Sequence, residues 1–453
     1  MLDVVLADGT VIDPSLRIHS RLNLGIQGGT VACVTRERLQ GTVVHDCAGL
    51  VVAPGFIDAH CHEDPLDGKE GRIVPAIGRC MLHMGVTTMV GGNCGMGPAD
   101  LMGYLDTVDR HGHPVNVALL AAHGSLRNRA GTFDPRGPVD GPAIQAMARR
   151  LDEELEAGAQ GLSFGVRYIP GLDAPELMAL CRVVRDHGGV VAAHVRDDAA
   201  NVEAAIDEMM APVREFGVKL QVSHIGSMAA FGQMRRVYAL LDGCVAQGMD
   251  LGVDCYPYQA FCTSIGSATF DDGFLERYGV DYSRLELMEG PHRGRPCTGQ
   301  TFRETRALHP EYLAVAHVMR EEEVDFALAH PRTVVGSDGV LHGSQGHPRA
   351  AGAFPRFIRE YALRKKLLTL PEAVAKMTHL TAQRFGLDRG TLAPGRPADI
   401  TVFDPDTLRD TATFADPVSR PEGVKYVFIG GELALRDGRA VREDLGRAVR
   451  KRK

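Results

Sequence analysis

Eight times between residues 54 and 385, a short apolar run is followed by a change of rhythm. The runs are Gly55–His60, Thr87–Gly91, Val115–Ala122, Gly161–Gly165, Val190–His194, Leu220–His224, Asp250–Cys255 and Thr333–Ser337. Most lead into a helical pattern, as at Gly141–Ala157, Ala174–His187 and Asn201–Phe216. Parallel strands need such long crossovers, and repeated βα units close into a barrel. The alternation predicts an α/β chain with a (β/α)8 TIM barrel over 54–385. The flanks, 1–53 and 386–453, read as short strands broken by turns, such as Asp8-Gly9, Gly28-Gly29 and Ala48-Gly49. They are expected to pair into one small β-sandwich domain built from both termini. A Gly-rich stretch at about 261–310 breaks the rhythm and is expected to be an irregular loop insertion over the barrel mouth.

A chain of 453 residues suits one large α/β domain with an appendage. Its net charge is −7, and no long Lys/Arg run precedes the terminal Arg450-Lys451-Arg452-Lys453, which reads as a solvated end. That balance speaks against a nucleic-acid surface. The first residues lack a basic segment followed by an apolar core, and no apolar stretch is long enough to span a membrane. Ten cysteines without pairing spacing fit a reducing cytoplasm. The expected partner is a small-molecule substrate; the oligomeric state is not readable.

Metal-binding side chains gather at the strand ends. Strand one closes on His60 and His62, which share a face because side chains two apart on a strand point the same way. Strand two leads to Cys94, strand five to His194, strand six to His224 and strand eight to Asp338. In a parallel barrel all these ends open on one rim, where the active sites of this fold lie. Taken singly, a strand-end histidine is more often structural, a cysteine is more often buried packing, and an aspartate before glycine is often a turn. Their conjunction at five of eight strand ends points to zinc, for which imidazole, thiolate and carboxylate are all donors. Six donors exceed one tetrahedral site, so two metal positions are expected, one tight and one weaker. His123, ending strand three, reads equally as an orienting or a structural residue.

These residues resemble the amidohydrolase superfamily, most of all its D-aminoacylase (N-acyl-D-amino-acid deacylase) branch. The likeness runs through APGFIDAHCHED, GGNCG, GAQGLSFGVRYIPG, AAHVRDD, QVSHIG, DCYPYQA, GSDG and the C-terminal GRPADITVFDP. Many amidohydrolases bridge two metals with a lysine from strand four. This chain has no lysine between Lys69 and Lys219, and Lys219 starts strand six, roughly 17 Å from its far end. By the resemblance, Cys94, His194 and His224 would form the tighter zinc site, and His60, His62 and Asp338 the second.

The resemblance implies hydrolysis of the C–N amide bond of an N-acyl-D-amino acid or a related N-acyl compound. Zinc would activate water, and Asp338 would take the water's proton and return it to the leaving amine. In relatives a lysine that grips the substrate carboxylate follows the strand-six histidine; here Gly226 stands there, and Cys262 replaces a serine. Candidates for the missing grip are Arg349, Arg196 and Arg167, with Tyr256 and Tyr258 as hydrogen-bond donors. The alternatives are a cyclic-amide hydrolase, a deaminase of the same superfamily, or a non-catalytic metal-binding protein.

Overall fold

Runs such as Val86–Gly91 and Val190–His194 are buried along their whole length. That marks strands covered on both faces and so favours parallel pairing inside a shell of helices. A computed structural model describes residues 1–67 and 71–451, so Arg452 and Lys453 of the basic tail lie outside the described residues. Within it all eight barrel strands form. Strand one (Phe56–Asp58), strand two (Val86–Gly91) and the first part of strand three (Asn116–Leu119) make one parallel sheet. The second part of strand three (Ala121–Ala122) continues into strands four (Gly161–Gly165), five (Val190–His194), six (Lys219–Val222), seven (Leu251–Cys255) and eight (Thr333–Val335). Strand eight returns to strand one: the Ala59 N–H donates to Val335 O at 3.1 Å and the Asp338 N–H to His60 O at 2.7 Å. Asp58 staples the same seam, its Oδ1 accepting the N–H groups of His60 (3.0 Å) and Ser337 (2.9 Å). The barrel is thereby closed.

Strands from both ends of the chain share one nine-stranded sheet, joined where Val51–Pro54 pairs antiparallel with Ile400–Phe403. The last described residues leave that sheet. Val117 N–H donates to Arg447 O at 3.0 Å and Val449 N–H to Val117 O at 2.8 Å, which lays the C-terminal segment along the third barrel strand. Arg450 is paired with Asp106 and Asp109, so this part of the tail is not simply solvated.

The insertion is more ordered than expected. Phe261–Ser264, Leu285–Leu287 and Leu313–Ala316 form a three-stranded antiparallel sheet that extends beyond residue 310. Phe261, Phe270, Phe274, Tyr278, Tyr282 and Phe302 pack ring to ring around it. Aromatic packing between segments far apart in sequence leaves no local periodicity, so the stretch reads as loop. No described helix is long and apolar enough to cross a membrane.

Candidate metal centre

The six expected ligands meet at the rim formed by the C-terminal ends of the strands. The Cys94 thiol lies 3.4 Å from His60 Nε2 and 3.3 Å from His224 Nε2. Donor atoms of Cys94, His194 and His224 lie within 4.8 Å of one another, as do those of His60, His62 and Cys94. Asp338 joins the second group: its Oδ1 is 3.3 Å from His62 Nε2 and 3.6 Å from His60 Nε2. Cys94 thus belongs to both triads.

The backbone supports this convergence at a conformational cost. Cys94 (φ 55°), His224 (φ 33°) and Asp338 (φ 50°) are all left-handed, a region non-glycine residues seldom adopt. Such outliers cluster at functional sites, where the surroundings hold them in place. For Cys94 those surroundings include Gly92 and Gly95, both at positive φ. A Cβ on Gly92 would lie 2.2 Å from Leu120 O, so the turn that presents the thiol accepts only glycine there.

Donor chemistry and burial fit a metal. Two ligands of one tetrahedral zinc lie roughly 3.5 Å apart, given zinc–sulfur near 2.3 Å and zinc–nitrogen near 2.0 Å. The Cys94–imidazole distances match that spacing. Both ring nitrogens of His194 are buried without a hydrogen-bond partner, which is costly unless another ligand satisfies one of them. Burial opposes ionising Cys94, but the neighbouring His224 and His60 rings outweigh it and hold the thiol well below its ordinary pKa. Burial likewise opposes ionising Asp338, but the Arg349 guanidinium together with the His62, His224 and His60 rings outweighs it and holds the carboxyl well below its ordinary pKa. His194 shifts the other way: burial, then its neighbour His224, lowers its pKa and favours the neutral ring.

The site opens into a cavity of about 530 Å³ lined by five of the six candidate ligands, His60 being the exception. Arg349 lines it and is held rigidly. Its Nη2 is 2.8 Å from Asp338 Oδ2, its Nε donates to Asp338 O at 2.7 Å, and its guanidinium stacks over the Tyr256 ring at 4.5 Å. Arg349 Nη1 is buried without a partner. Cys262 also lines the cavity, its thiol pushed up to about 12 mainly by burial.

The other four expected substrate contacts do not line this cavity. Arg196 clamps Glu208 and donates to the carbonyls of Pro170 and Leu172. Arg167 pairs with Asp197 and Asp198 behind the wall. Tyr256 lies beneath Arg349, its hydroxyl 4.0 Å from Met319 Sδ. Tyr258 contacts Pro348 O and Asp410 and lines a separate cavity. His123 contacts Glu176 at 2.7 Å beside Arg127 and does not line the cavity. Gly226 also lies off the cavity, where an added Cβ would meet Met319 Cε at 2.8 Å and Cys255 Sγ at 3.1 Å.

Three residues escaped sequence reasoning. Tyr168 lines the cavity and packs on His194 with ring centroids 4.7 Å apart. Asp254 touches two of the ligands from below, and Glu63 braces the cysteine turn by accepting the Gly92 N–H at 2.6 Å. Asp254 and Glu63 adjoin or sit inside strand-end motifs, but only the barrel's closure shows what they touch.

Residues 305–434 match the amidohydrolase family. The chain is 33% identical to a D-aminoacylase of Alcaligenes xylosoxydans xylosoxydans, over 99% of this chain and 97% of that protein. It superposes with a TM-score of 0.88 on an N-acyl-D-glutamate deacylase from Bordetella bronchiseptica complexed with zinc and a phosphonate inhibitor, at 31% identity and 99% coverage of both chains. A D-aminoacylase structure concerned with a binuclear metal center, with one-metal activation and second-metal attenuation, also superposes at 0.88, with 30% identity and coverage of 99% of this chain and 100% of that one. The barrel, its β-sandwich appendage and the histidine, cysteine and carboxylate side chains gathered at its rim agree with these relatives and place the chain among the amidohydrolases. This chain belongs to that family, in its D-aminoacylase branch.

Proposed function

We propose that this protein is a zinc-dependent deacylase that hydrolyses the linear amide of N-acyl-D-amino acids. The observation that carries the reading is the shared position of Cys94, within reach of both histidine groups beside the Asp338–Arg349 pair. In it Cys94, His194 and His224 hold the tighter zinc, and His60, His62 and Asp338 a weaker second one. Bound zinc supplies a Lewis acid and lowers the pKa of a coordinated water to about 7.

The chain's own groups do the rest. Asp338, kept ionised beside Arg349, accepts a proton from the attacking water at its carboxylate and delivers it to the leaving nitrogen. Arg349 lines the cavity and is the cationic side chain placed to face a substrate carboxylate, where Gly226 offers none. Tyr168 and the insertion form part of the cavity wall that a substrate would meet.

Beyond the candidate ligands and Arg349, Met96, Met228, Phe261, Leu313 and Val340 make much of the lining apolar. That lining favours a neutral apolar side chain over an acidic one. Ten unpaired cysteines support a reducing, cytoplasmic setting.

Amine release from N-acetyl and N-formyl D- and L-amino acids by zinc-loaded enzyme tests the reading. N-acetyl-D-leucine should be cleaved at least tenfold faster, by kcat/KM, than N-acetyl-D-glutamate and than the L-enantiomer. Opening of a cyclic amide with no turnover of linear substrates would reassign the chemistry.

A further inference from the structure

Strand seven ends without a metal ligand, yet it carries Asp254, 1% exposed and set directly beneath the ligand layer. One carboxylate oxygen faces two ligands at once. Asp254 Oδ1 accepts the backbone N–H of His224 at 2.7 Å and lies 3.1 Å from His60 Nδ1. The second contact is short but poorly aligned, so it is electrostatic more than a directed hydrogen bond. Asp254 Oδ2 accepts from Gln221 Nε2 at 3.0 Å, a brace on the oxygen that faces neither ligand. Among the described residues no Lys or Arg forms an ion pair with Asp254, and the ring its carboxylate faces is the His60 imidazole.

Two consequences follow from this geometry. A carboxylate at Nδ1 favours the His60 tautomer with its proton there, leaving the Nε2 lone pair toward Cys94 and Asp338. The bond to the His224 N–H anchors a residue with φ 33° and ψ 54°, a conformation the chain does not adopt unaided. His60 belongs to one donor triad and His224 to the other.

We infer that Asp254 is a positioning residue shared by both metal positions, setting the ring of His60 and the backbone of His224 with one carboxylate oxygen. This rests on the ligand assignment proposed above. Carboxylates that orient metal-ligating histidines typically contribute 10–100-fold in metal affinity.

The test compares Asp254→Asn with Gln221→Leu, each in the full chain. Asparagine keeps the shape and an oxygen able to accept the His224 N–H, but loses the charge facing His60. Gln221→Leu removes the brace and leaves both ligand contacts. Zinc affinity is measured by competition with a chelator, ligand geometry by the visible spectrum of the cobalt-substituted protein, and folding by melting of the metal-free form.

Asp254→Asn is expected to lower zinc affinity 10–100-fold and change the cobalt spectrum, with kcat falling more than KM rises. Gln221→Leu should stay within threefold of wild type in affinity. Unchanged affinity and spectrum in Asp254→Asn overturn the inference, as does an equal loss in both variants. Should Asp254→Asn melt too early, Asp254→Glu serves: it keeps the charge but displaces it, and wild-type affinity there also overturns the inference. Wild-type protein that binds no zinc would instead sink the functional reading itself.

Discussion

At the residue scale, Cys94 and Asp338 occupy the same small volume but should fail in different ways. Cys94 is the donor common to both triads. Asp338 completes only one of them, and its second oxygen belongs to Arg349. Cys94→Ala is expected to drop zinc below one equivalent per chain, read by elemental analysis after gel filtration. Asp338→Asn should retain the tighter zinc and the fold while losing roughly a thousandfold in kcat, as removal of a positioned proton acceptor does. Full zinc occupancy in Cys94→Ala would reduce that thiol to packing; near-normal turnover in Asp338→Asn would strip the carboxylate of its proposed role. The convergence of these candidate ligands was legible in the sequence because a strand-end residue needs only the barrel topology to be placed. The substrate contacts were not. Arginine and tyrosine have long side chains, and whether Arg196 turns toward the cavity or toward Glu208 depends on a helix twelve residues away.

At the scale of elements, the insertion is the part that sequence reading misjudged most, and it closes one wall of the cavity. Tyr278 from this insertion donates its hydroxyl to Asp198 Oδ2 at 2.6 Å, while Arg277 Nε approaches Asp198 Oδ1 at 3.3 Å. These contacts tie the insertion to the loop after strand five, four residues beyond the candidate ligand His194. Arg167 reaches the same Asp198 oxygen at 2.9 Å, so the carboxylate is a junction between insertion and barrel. Tyr278→Phe leaves a buried oxygen of a charged group short of a donor, at a cost of about 1–3 kcal/mol. The expected result is a lower melting temperature and a KM raised several-fold, with kcat and zinc content nearly unchanged. A matching fall in zinc content would mean that the insertion supports the ligands themselves and not only the wall. Nothing in residues 261–310 announces this role, because each contact joins segments about 80 residues apart.

For the whole molecule, the consequence of building one sheet from both termini is that barrel and appendage share buried seams, and His83 lies at one of them. It ends the helix Ala76–His83, is 6% exposed, and lines a small cavity with Arg420 from the C-terminal flank. Burial, then the nearby Arg420 charge, lowers its pKa to about 4, and Nδ1 has no hydrogen-bond partner. An unfolded histidine titrates near 6.5. Between those two values the unfolded chain takes up a proton that the folded chain refuses, so stability falls as pH drops from about 6.5 to about 4 and loses nothing more from this residue below that. His83→Gln removes the titration while keeping a polar side chain of similar size. In metal-free protein, where ligand protonation cannot enter through zinc loss, the urea midpoint of the variant should move less than that of wild type between pH 7.5 and pH 5. Other buried histidines, among them His194 and His347, are also held below their ordinary pKa and shift both proteins alike. The difference between the two curves therefore isolates His83, and parallel curves would show that this seam stays hydrated enough for the ring to charge in the folded protein.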